Sequence, residues 1–175
     1  MGIFTNSIFP AGGEAGNGGG IIQMKFNRKN DTYSESLAQG TASAVCLHVQ
    51  MTCQSATSKV LLFYSVNMSC DNDNRNATVF DVDGSHVANA TGDDYGSSQF
   101  RATSAGNNSS VSFMSHHTMC FVHEPNDTSN HTYGVRLKHG RNSTATVFLN
   151  RASDMGRNSD RDSAASFIVA LEVSS

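Results

Sequence analysis

The sequence predicts an all-β protein, a sandwich or barrel of antiparallel strands. Short segments in which apolar and polar residues alternate recur along the chain, with turn residues between them. No segment shows a sustained 3.6-residue apolar period with helix caps. Ser, Asn, Gly and Thr make up 68 of the 175 residues, and these residue types favour turns over helices. A chain of this length is expected to form one domain with a single core.

The first twenty residues are glycine-rich and are expected to form a flexible anchoring arm. Gly12-Gly13 and Gly18-Gly19-Gly20 interrupt this segment. Its apolar side chains are the candidates for contact with a partner: Ile3, Phe4, Ile8 and Phe9. Twenty extended residues reach at most about 70 Å, which is enough to hold a neighbouring subunit, although a terminus without a partner is the alternative. The folded domain is expected to cover residues 21–175.

Four strands are predicted in the first half of this domain. They cover residues 21–26, 44–53, 59–70 and 77–82. The second has the clearest half-buried pattern, because every other residue from Val45 to Cys53 is apolar. Turn residues follow the third and fourth strands, at 71–74 and at Asp83-Gly84-Ser85.

Six further strands are predicted in the second half. They cover residues 99–103, 110–114, 118–123, 132–138, 144–150 and 165–173. Asn, Gly, Pro and Asp residues occupy the intervals between them, as in Pro125-Asn126-Asp127 and His139-Gly140-Arg141-Asn142. Strands at this regular spacing favour a sandwich or barrel over an arrangement with helical crossovers.

Three segments are apolar on both faces, namely residues 60–66, 119–122 and 165–173. An antiparallel sheet in a lone sandwich needs only one apolar face, so the second face is expected to pack against another subunit. In the last strand, Phe167, Val169 and Leu171 share the face that we assign to the core. The residues predicted for the subunit interface are Leu61, Phe63, Ile168 and Ala170.

The cysteines and histidines give no strong motif. Cysteines stand at positions 46, 53, 70 and 120 without a Cys-x-x-Cys pair, and we expect mostly buried thiols in a protein made in a reducing cytoplasm. His116 and His117 must lie on opposite faces of a strand, and together with His123 they could serve a subunit interface or, on a threefold axis, a metal. The acidic runs 71–74 and 81–84 lack the helix-loop-helix calcium pattern, which leaves turn use or a simpler calcium loop.

Several function classes find no support in the sequence. The net charge of −3 gives no electrostatic reason to expect nucleic-acid binding. No stretch approaches the roughly 20 apolar residues of a membrane span, and the start of the chain lacks a signal-peptide pattern. We find neither a Gly-x-Ser-x-Gly elbow nor a phosphate-binding glycine loop. The prediction is therefore a non-enzymatic protein without a cofactor.

Four stretches together resemble one protein family. They are residues 18–24 with the glycine-led opening strand, residues 55–62 with a Ser-Lys pair before an apolar strand, residues 121–135 with Glu124-Pro125-Asn126-Asp127, and residues 146–151 with the closing strand. In this order they resemble short virion proteins of tailed bacteriophages, common among viruses of cyanobacteria and marine bacteria. That family has a jelly roll similar to the heads of tumour necrosis factor and complement C1q. The arm, the histidines and the cysteines lie outside the resemblance.

The resemblance implies a homotrimer whose inner sheet packs around a threefold axis. The expected function is that of a capsid decoration or cement protein on the outer capsid surface of the virion. Its arm would contact the major capsid protein through Ile3, Phe4, Ile8 and Phe9. The alternative is a receptor-binding head of a tail fibre or capsid appendage, which would contact a host surface glycan through residues 81–98 and 150–163.

Overall fold

The computed structural model describes residues 20–71, 75–92, 101–107, 113–140, 143–154 and 163–174. In these ranges the chain forms eleven strands and one 3₁₀ turn at Ala88–Ala90. The strands are β1 (Ile21–Lys29), β2 (Tyr33–Leu37), β3 (Leu47–Thr52), β4 (Lys59–Cys70), β5 (Arg75–Val82), β6 (Ser85–His86), β7 (Ser104–Asn107), β8 (Ser115–His123), β9 (Asn130–His139), β10 (Ala145–Leu149) and β11 (Ser166–Val173). Every strand pair is antiparallel, which confirms the predicted all-β class. The predicted arm falls on residues 1–19, outside the described ranges, and on Gly20.

The strands form two sheets in a sandwich-like arrangement. Sheet A has six strands in the order β1–β11–β4–β10–β2, and β8 pairs with the other edge of β4. Sheet B has five strands in the order β3–β9–β5–β6, and β7 also pairs with β5. The long strand β4 therefore has three neighbours and forms the centre of sheet A, because β11 and β10 share one of its edges and β8 takes the other.

The core lies between the two sheets and is built around three large aromatic residues. Tyr64 of β4, Phe80 of β5 and Tyr133 of β9 are fully buried. The rings of Tyr64 and Phe80 meet edge to face at 4.8 Å between centroids, a favourable aromatic geometry. The Tyr64 hydroxyl is 2.5 Å from Thr78 Oγ1, so its polar atom is satisfied inside the core. Alternate residues of β3 are buried, as the sequence predicted.

The predicted strand positions differ from the structure in two regions. β2 was missed, because Tyr33 and Leu37 are its only large apolar residues. The strand predicted at 99–103 is wrong for residues 101–103, which precede β7. β7 contains no large apolar side chain, so its alternation is invisible in the sequence. Of the strand predicted at 110–114, residues 110–112 lie outside the described ranges and the other two lie outside any strand.

Amide side chains of β1 close one side of the sandwich. Gln23 Nε2 donates to the carbonyl of Thr52 at 2.7 Å, and Asn27 Nδ2 donates to the carbonyl of His48, also at 2.7 Å. Both carbonyls belong to β3, the edge strand of sheet B. Edge carbonyls are otherwise ready to pair with another chain. The side chains of one sheet thus satisfy the open edge of the other.

A buried ion pair holds the connection between β5 and β6. Asp81 is fully buried, and its Oδ2 accepts a hydrogen bond from Arg136 Nε at 2.6 Å. Its Oδ1 accepts from the backbone N–H of Gly84 at 2.9 Å. Arg136 also donates to the carbonyls of Gly84 and Ser43 at 2.8 and 3.2 Å. One ion pair therefore fixes the turn after β5 and the segment before β3.

Removing the Asp81 carboxylate should destabilise the fold strongly. The Asp81→Ala variant leaves the Arg136 guanidinium partly buried without its counter-ion, and we expect a loss of about 3 kcal/mol in the free energy of unfolding. The measurement is urea denaturation followed by circular dichroism. The control is Glu124→Ala, which breaks the exposed Lys59–Glu124 pair and should leave stability nearly unchanged. Equal effects of the two variants would contradict the role given to Asp81.

Candidate functional site

The outer face of sheet A is apolar over four neighbouring strands. Strand register places Leu61 between Leu171 and Val122, and Phe63 between Val169 and Cys120. Directly paired residues point to the same side of a sheet, so these side chains lie together. With the residues of β1 they form what we call the apolar face: Ile21, Met24, Phe26, Leu61, Phe63, Cys120, Val122, Phe167, Val169 and Leu171.

This face holds nearly all the large apolar side chains that are exposed in the described part of the chain. Six such side chains are exposed there, and five lie on the apolar face: Ile21 (53%), Met24 (54%), Phe26 (56%), Val122 (48%) and Phe167 (37%). The Phe26 and Phe167 rings are 6.0 Å apart between centroids. Single exposed apolar residues are normal on a protein surface, but a contiguous apolar patch marks an interaction site.

The outer face of sheet B has the opposite character. His48, Gln50 and Thr52 of β3 are exposed there, and hydrogen bonds link polar side chains across the strands. Gln50 Nε2 donates to Thr132 Oγ1, and Thr52 Oγ1 donates to Asn130 Oδ1, both at 3.3 Å. One side of the sandwich is thus suited to water and the other is not.

Polar groups border the apolar face at both ends of β8. Near its start, His116 Nε2 lies 2.8 Å from Ser65 Oγ and 2.9 Å from Thr118 Oγ1. Just beyond its end, Glu124 pairs with Lys59 at 2.6 Å. These groups find partners within the chain. Arg28 of β1, which pairs with Phe167, adds an exposed positive charge at the edge of the apolar face.

The structure places only two of the four predicted interface residues on the apolar face. Leu61 and Phe63 lie there and are partly exposed, and their role in an interface stays a prediction. Ile168 and Ala170 are fully buried in the core, so their assignment to an outer face is wrong. Phe167, Val169 and Leu171 point outward instead. The arm residues Ile3, Phe4, Ile8 and Phe9 lie outside the described ranges.

The error in β11 has a physical cause. Ser166 and Glu172 share the inward face with Ile168, so this face looked the less apolar of the two in the sequence and was assigned to the subunit interface. Glu172 is fully buried and accepts hydrogen bonds from Gln23 Nε2 at 2.6 Å and from the Gln54 backbone N–H at 2.7 Å. Burial raises the pKa of Glu172, but its hydrogen bonds, including that from Gln23, outweigh this effect and leave the pKa lowered. A satisfied carboxylate can therefore occupy the core side.

Sequence reasoning missed Met24, Phe26 and Val122 as members of the site. For β1 the signal was weak, because Met24 and Phe26 alternate with polar residues and read as core positions of an ordinary half-buried strand. The two-faced character of residues 119–122 was visible, and Val122 could have been identified once its register with Leu61 was known.

The four cysteines divide into three buried thiols and one exposed thiol. Cys46, Cys53 and Cys70 are buried, whereas Cys120 is exposed on the apolar face. All four are free. Burial raises the pKa of the Cys120 thiol. This thiol is a natural probe for whether the apolar face is covered.

The paired histidines of β8 lie on opposite faces, as predicted. His116 is exposed and His117 is buried between Ser104 Oγ, 3.1 Å from Nδ1, and Ser115 Oγ, 2.9 Å from Nε2. Burial lowers the pKa of His117 to about 4, so its ring is neutral near pH 7. Among the described residues, no group of three or more His, Cys, Asp or Glu side chains could hold a metal ion.

Two features were considered for ligand contact: a cleft beside β1 and β3, and the loop regions 81–98 and 150–163. A cleft of about 180 Å³ lies beside β1 and β3, lined by Asn27, Arg28, Lys29, Asp31, Cys46, Leu47 and His48. It is smaller than the roughly 300–1,000 Å³ of typical ligand sites. In the loop region 81–98, Asp81 is a buried structural residue, and residues 93–98 lie outside the described ranges. In the loop region 150–163, residues 155–162 lie outside the described ranges.

Comparison of the chain with models of known protein families found no match, and comparison with curated proteins found none either. None of the helical structure in the described ranges has the length and hydropathy needed to cross a membrane.

Acid should destabilise the fold through His117. Its lowered pKa means that the unfolded chain binds a proton between about pH 6.5 and 4 while the folded chain does not, so stability falls as pH drops through this window. The His117→Gln variant should lose up to about 3 kcal/mol of this pH dependence. The measurement is urea denaturation at a series of pH values.

The matched control is His48→Asn, which removes an exposed histidine from β3. It should leave the pH dependence of the wild type in place. An unchanged slope in His117→Gln would show that this histidine is not the group that resists protonation.

Proposed function

We propose that the chain is a structural protein that assembles into a homotrimer through the apolar face of sheet A. The observation that carries the proposal is the concentration of five exposed large apolar side chains on this one face. Burial of each large apolar side chain contributes roughly 1.5–3 kcal/mol. Sister copies are the natural cover, because most soluble oligomers are symmetric assemblies of one chain.

The strand order supports a jelly roll as the fold of each subunit. Without β2, β6 and β10, the remaining eight strands give the orders β1–β11–β4–β8 and β3–β9–β5–β7. The first strand then lies beside the last, and the chain alternates between the two sheets except from β5 to β7, as in the paired Greek keys of a jelly roll. The apolar face belongs to sheet A, which contains the first and last strands, and we propose that sheet A is the inner sheet that packs around the threefold axis.

A location on the outer capsid surface of a virion fits the way the arm leaves the domain. The Ser174 backbone N–H donates to the Gly20 carbonyl at 3.0 Å, and the Gly20 N–H donates to Ser174 Oγ at 2.9 Å. Gly20, where the described chain begins, therefore lies beside Ser174 at one end of sheet A. In three copies around an axis, three arms would leave from the same end and could grip the major capsid protein. The resemblance and the position of Gly20 support the proposed capsid decoration role.

A charge on the apolar face should dissociate the assembly. Phe26 is 56% exposed in the single chain, so the Phe26→Glu variant is expected to fold normally but to place a carboxylate in the proposed interface. Sedimentation velocity should show the wild type at three times the 18.7 kDa chain mass and Phe26→Glu mainly as monomer. A maleimide reagent should label Cys120 in the variant and leave it unlabelled in the wild type.

The control for this experiment is Gln50→Glu, which adds the same charge to the polar outer face of sheet B. It should remain trimeric with Cys120 protected. A wild type that sediments as a monomer with a reactive Cys120 would refute the interface, and a stable dimer would refute the threefold arrangement.

Removal of the arm should separate assembly from attachment. A variant without residues 2–17 should still form the trimer, since the apolar face is intact, but should no longer bind capsid shells in a pelleting assay. Full decoration by the truncated protein would contradict the role of Ile3, Phe4, Ile8 and Phe9.

The number of copies per virion separates the proposed role from its alternative. Quantitative mass spectrometry of virions should find many copies of a decoration protein. A handful of copies per particle would favour the alternative, a receptor- or glycan-binding head.

A further inference from the structure

His131, at the start of β9, lies between two carboxylates. Its Nδ1 is 2.6 Å from Asp83 Oδ2, and its Nε2 is 3.0 Å from Asp127 Oδ1. The His131 side chain is only 13% exposed. Both ring nitrogens face an acceptor, and only the protonated imidazolium has two N–H groups to donate. The geometry therefore fits the charged form of the ring.

The two carboxylates belong to different connections at one end of the sandwich. Asp83 lies in the turn between β5 and β6, and Asp127 lies between β8 and β9. Asp83 Oδ1 also accepts the backbone N–H of Thr132 at 2.7 Å, and Asp127 Oδ1 accepts that of Ser129 at 2.6 Å. A protonated His131 thus ties the loop after β8 to the turn after β5.

Other titratable groups lie near His131, and the closest of them is a second histidine, His123. The His123 ring stands edge-on to His131 at 5.9 Å between centroids, and its Nδ1 is 3.2 Å from the Tyr133 hydroxyl. Burial and then the neighbouring His131 lower the pKa of His123. The remaining titratable or charged groups that act on this cluster are Glu124, Cys53 and Glu172, and Lys59 pairs with Glu124. Positive charge therefore concentrates on His131.

We propose that His131 is a pH-sensitive clamp that holds the loop between β8 and β9 when protonated and releases Asp127 when it loses its proton. A neutral ring keeps one N–H, and the shorter contact to Asp83, which Thr132 also anchors, retains it at Nδ1. The Nε2 lone pair then faces the Asp127 carboxylate, and the two acceptors repel each other. The turn at Asp83 stays in place while residues 124–129 loosen.

The direction of the pH dependence follows from these contacts. Burial lowers the pKa of His131, but the hydrogen bonds to Asp83 and Asp127 outweigh it and raise the pKa above 6.5. The stabilisation is therefore complete below pH 6.5 and is lost as pH rises through the raised pKa. At the acid side, the pKa of Asp127 is lowered by the Ser129 N–H and by His131, so its contribution persists until pH falls below the usual aspartate range.

The test is a pH titration of the full-length protein by nuclear magnetic resonance. The His131 ring should titrate with a midpoint above 6.5. The Ser129 amide should lose about tenfold in its hydrogen-exchange protection factor as the ring deprotonates, while the Thr132 amide keeps its protection. In the Asp127→Asn variant the midpoint should fall and the Ser129 amide should lose its pH dependence.

The control is Asp31→Asn, which removes the same charge from a residue far from His131. Asp31 lies just after β1 and pairs with Lys29. It should leave the His131 midpoint unchanged. A His131 midpoint at or below 6.5, or a Ser129 protection factor that stays constant through the titration, would overturn the clamp. Because each readout belongs to a single chain, these results do not depend on whether the protein forms a trimer.

Discussion

The central constraint in this molecule is that β4 is apolar on both sides. Tyr64 and its alternate neighbours fill the space between the sheets, whereas Leu61 and Phe63 point away from it. A single sandwich supplies cover for only one of these sides. The exposed apolar surface spreads from β4 to β1, β8 and β11 because strand pairing aligns their outward residues. The proposed assembly would cover this second apolar surface with sister copies of the chain.

Alternation within one strand was enough to predict most of the fold. β3 and β4 bury every other residue over most of their length, and their pattern is plain in the sequence. β2 and β7 lack that pattern, since pairing with β10 and β5 holds them in place more than their own apolar residues do. Such strands depend on partners far along the chain and leave little local signal.

The sequence predicted an apolar outer sheet face, but not all of the residues that form it. The two-faced segments indicated a covered sheet, and Leu61 and Phe63 lie on it. The orientation of β11 could not be read from polarity, because Glu172 is stabilised in the interior by Gln23, which lies 149 residues away. Phe26 belongs to the surface only through its pairing with β11. In both cases the deciding information is a contact between the two ends of the domain.

Through the hydrogen bonds from Gln23 and Asn27, β1 contacts β3 of sheet B in addition to pairing with β11 in sheet A. They close the open border of the opposite sheet with side chains rather than with another backbone. Loss of β1 would uncover β11 in sheet A and β3 in sheet B at once. Two bare strand borders on the same flank are a template for uncontrolled stacking of chains into fibrils. A truncation that reached into β1 would thus expose the chain to aggregation through both sheets.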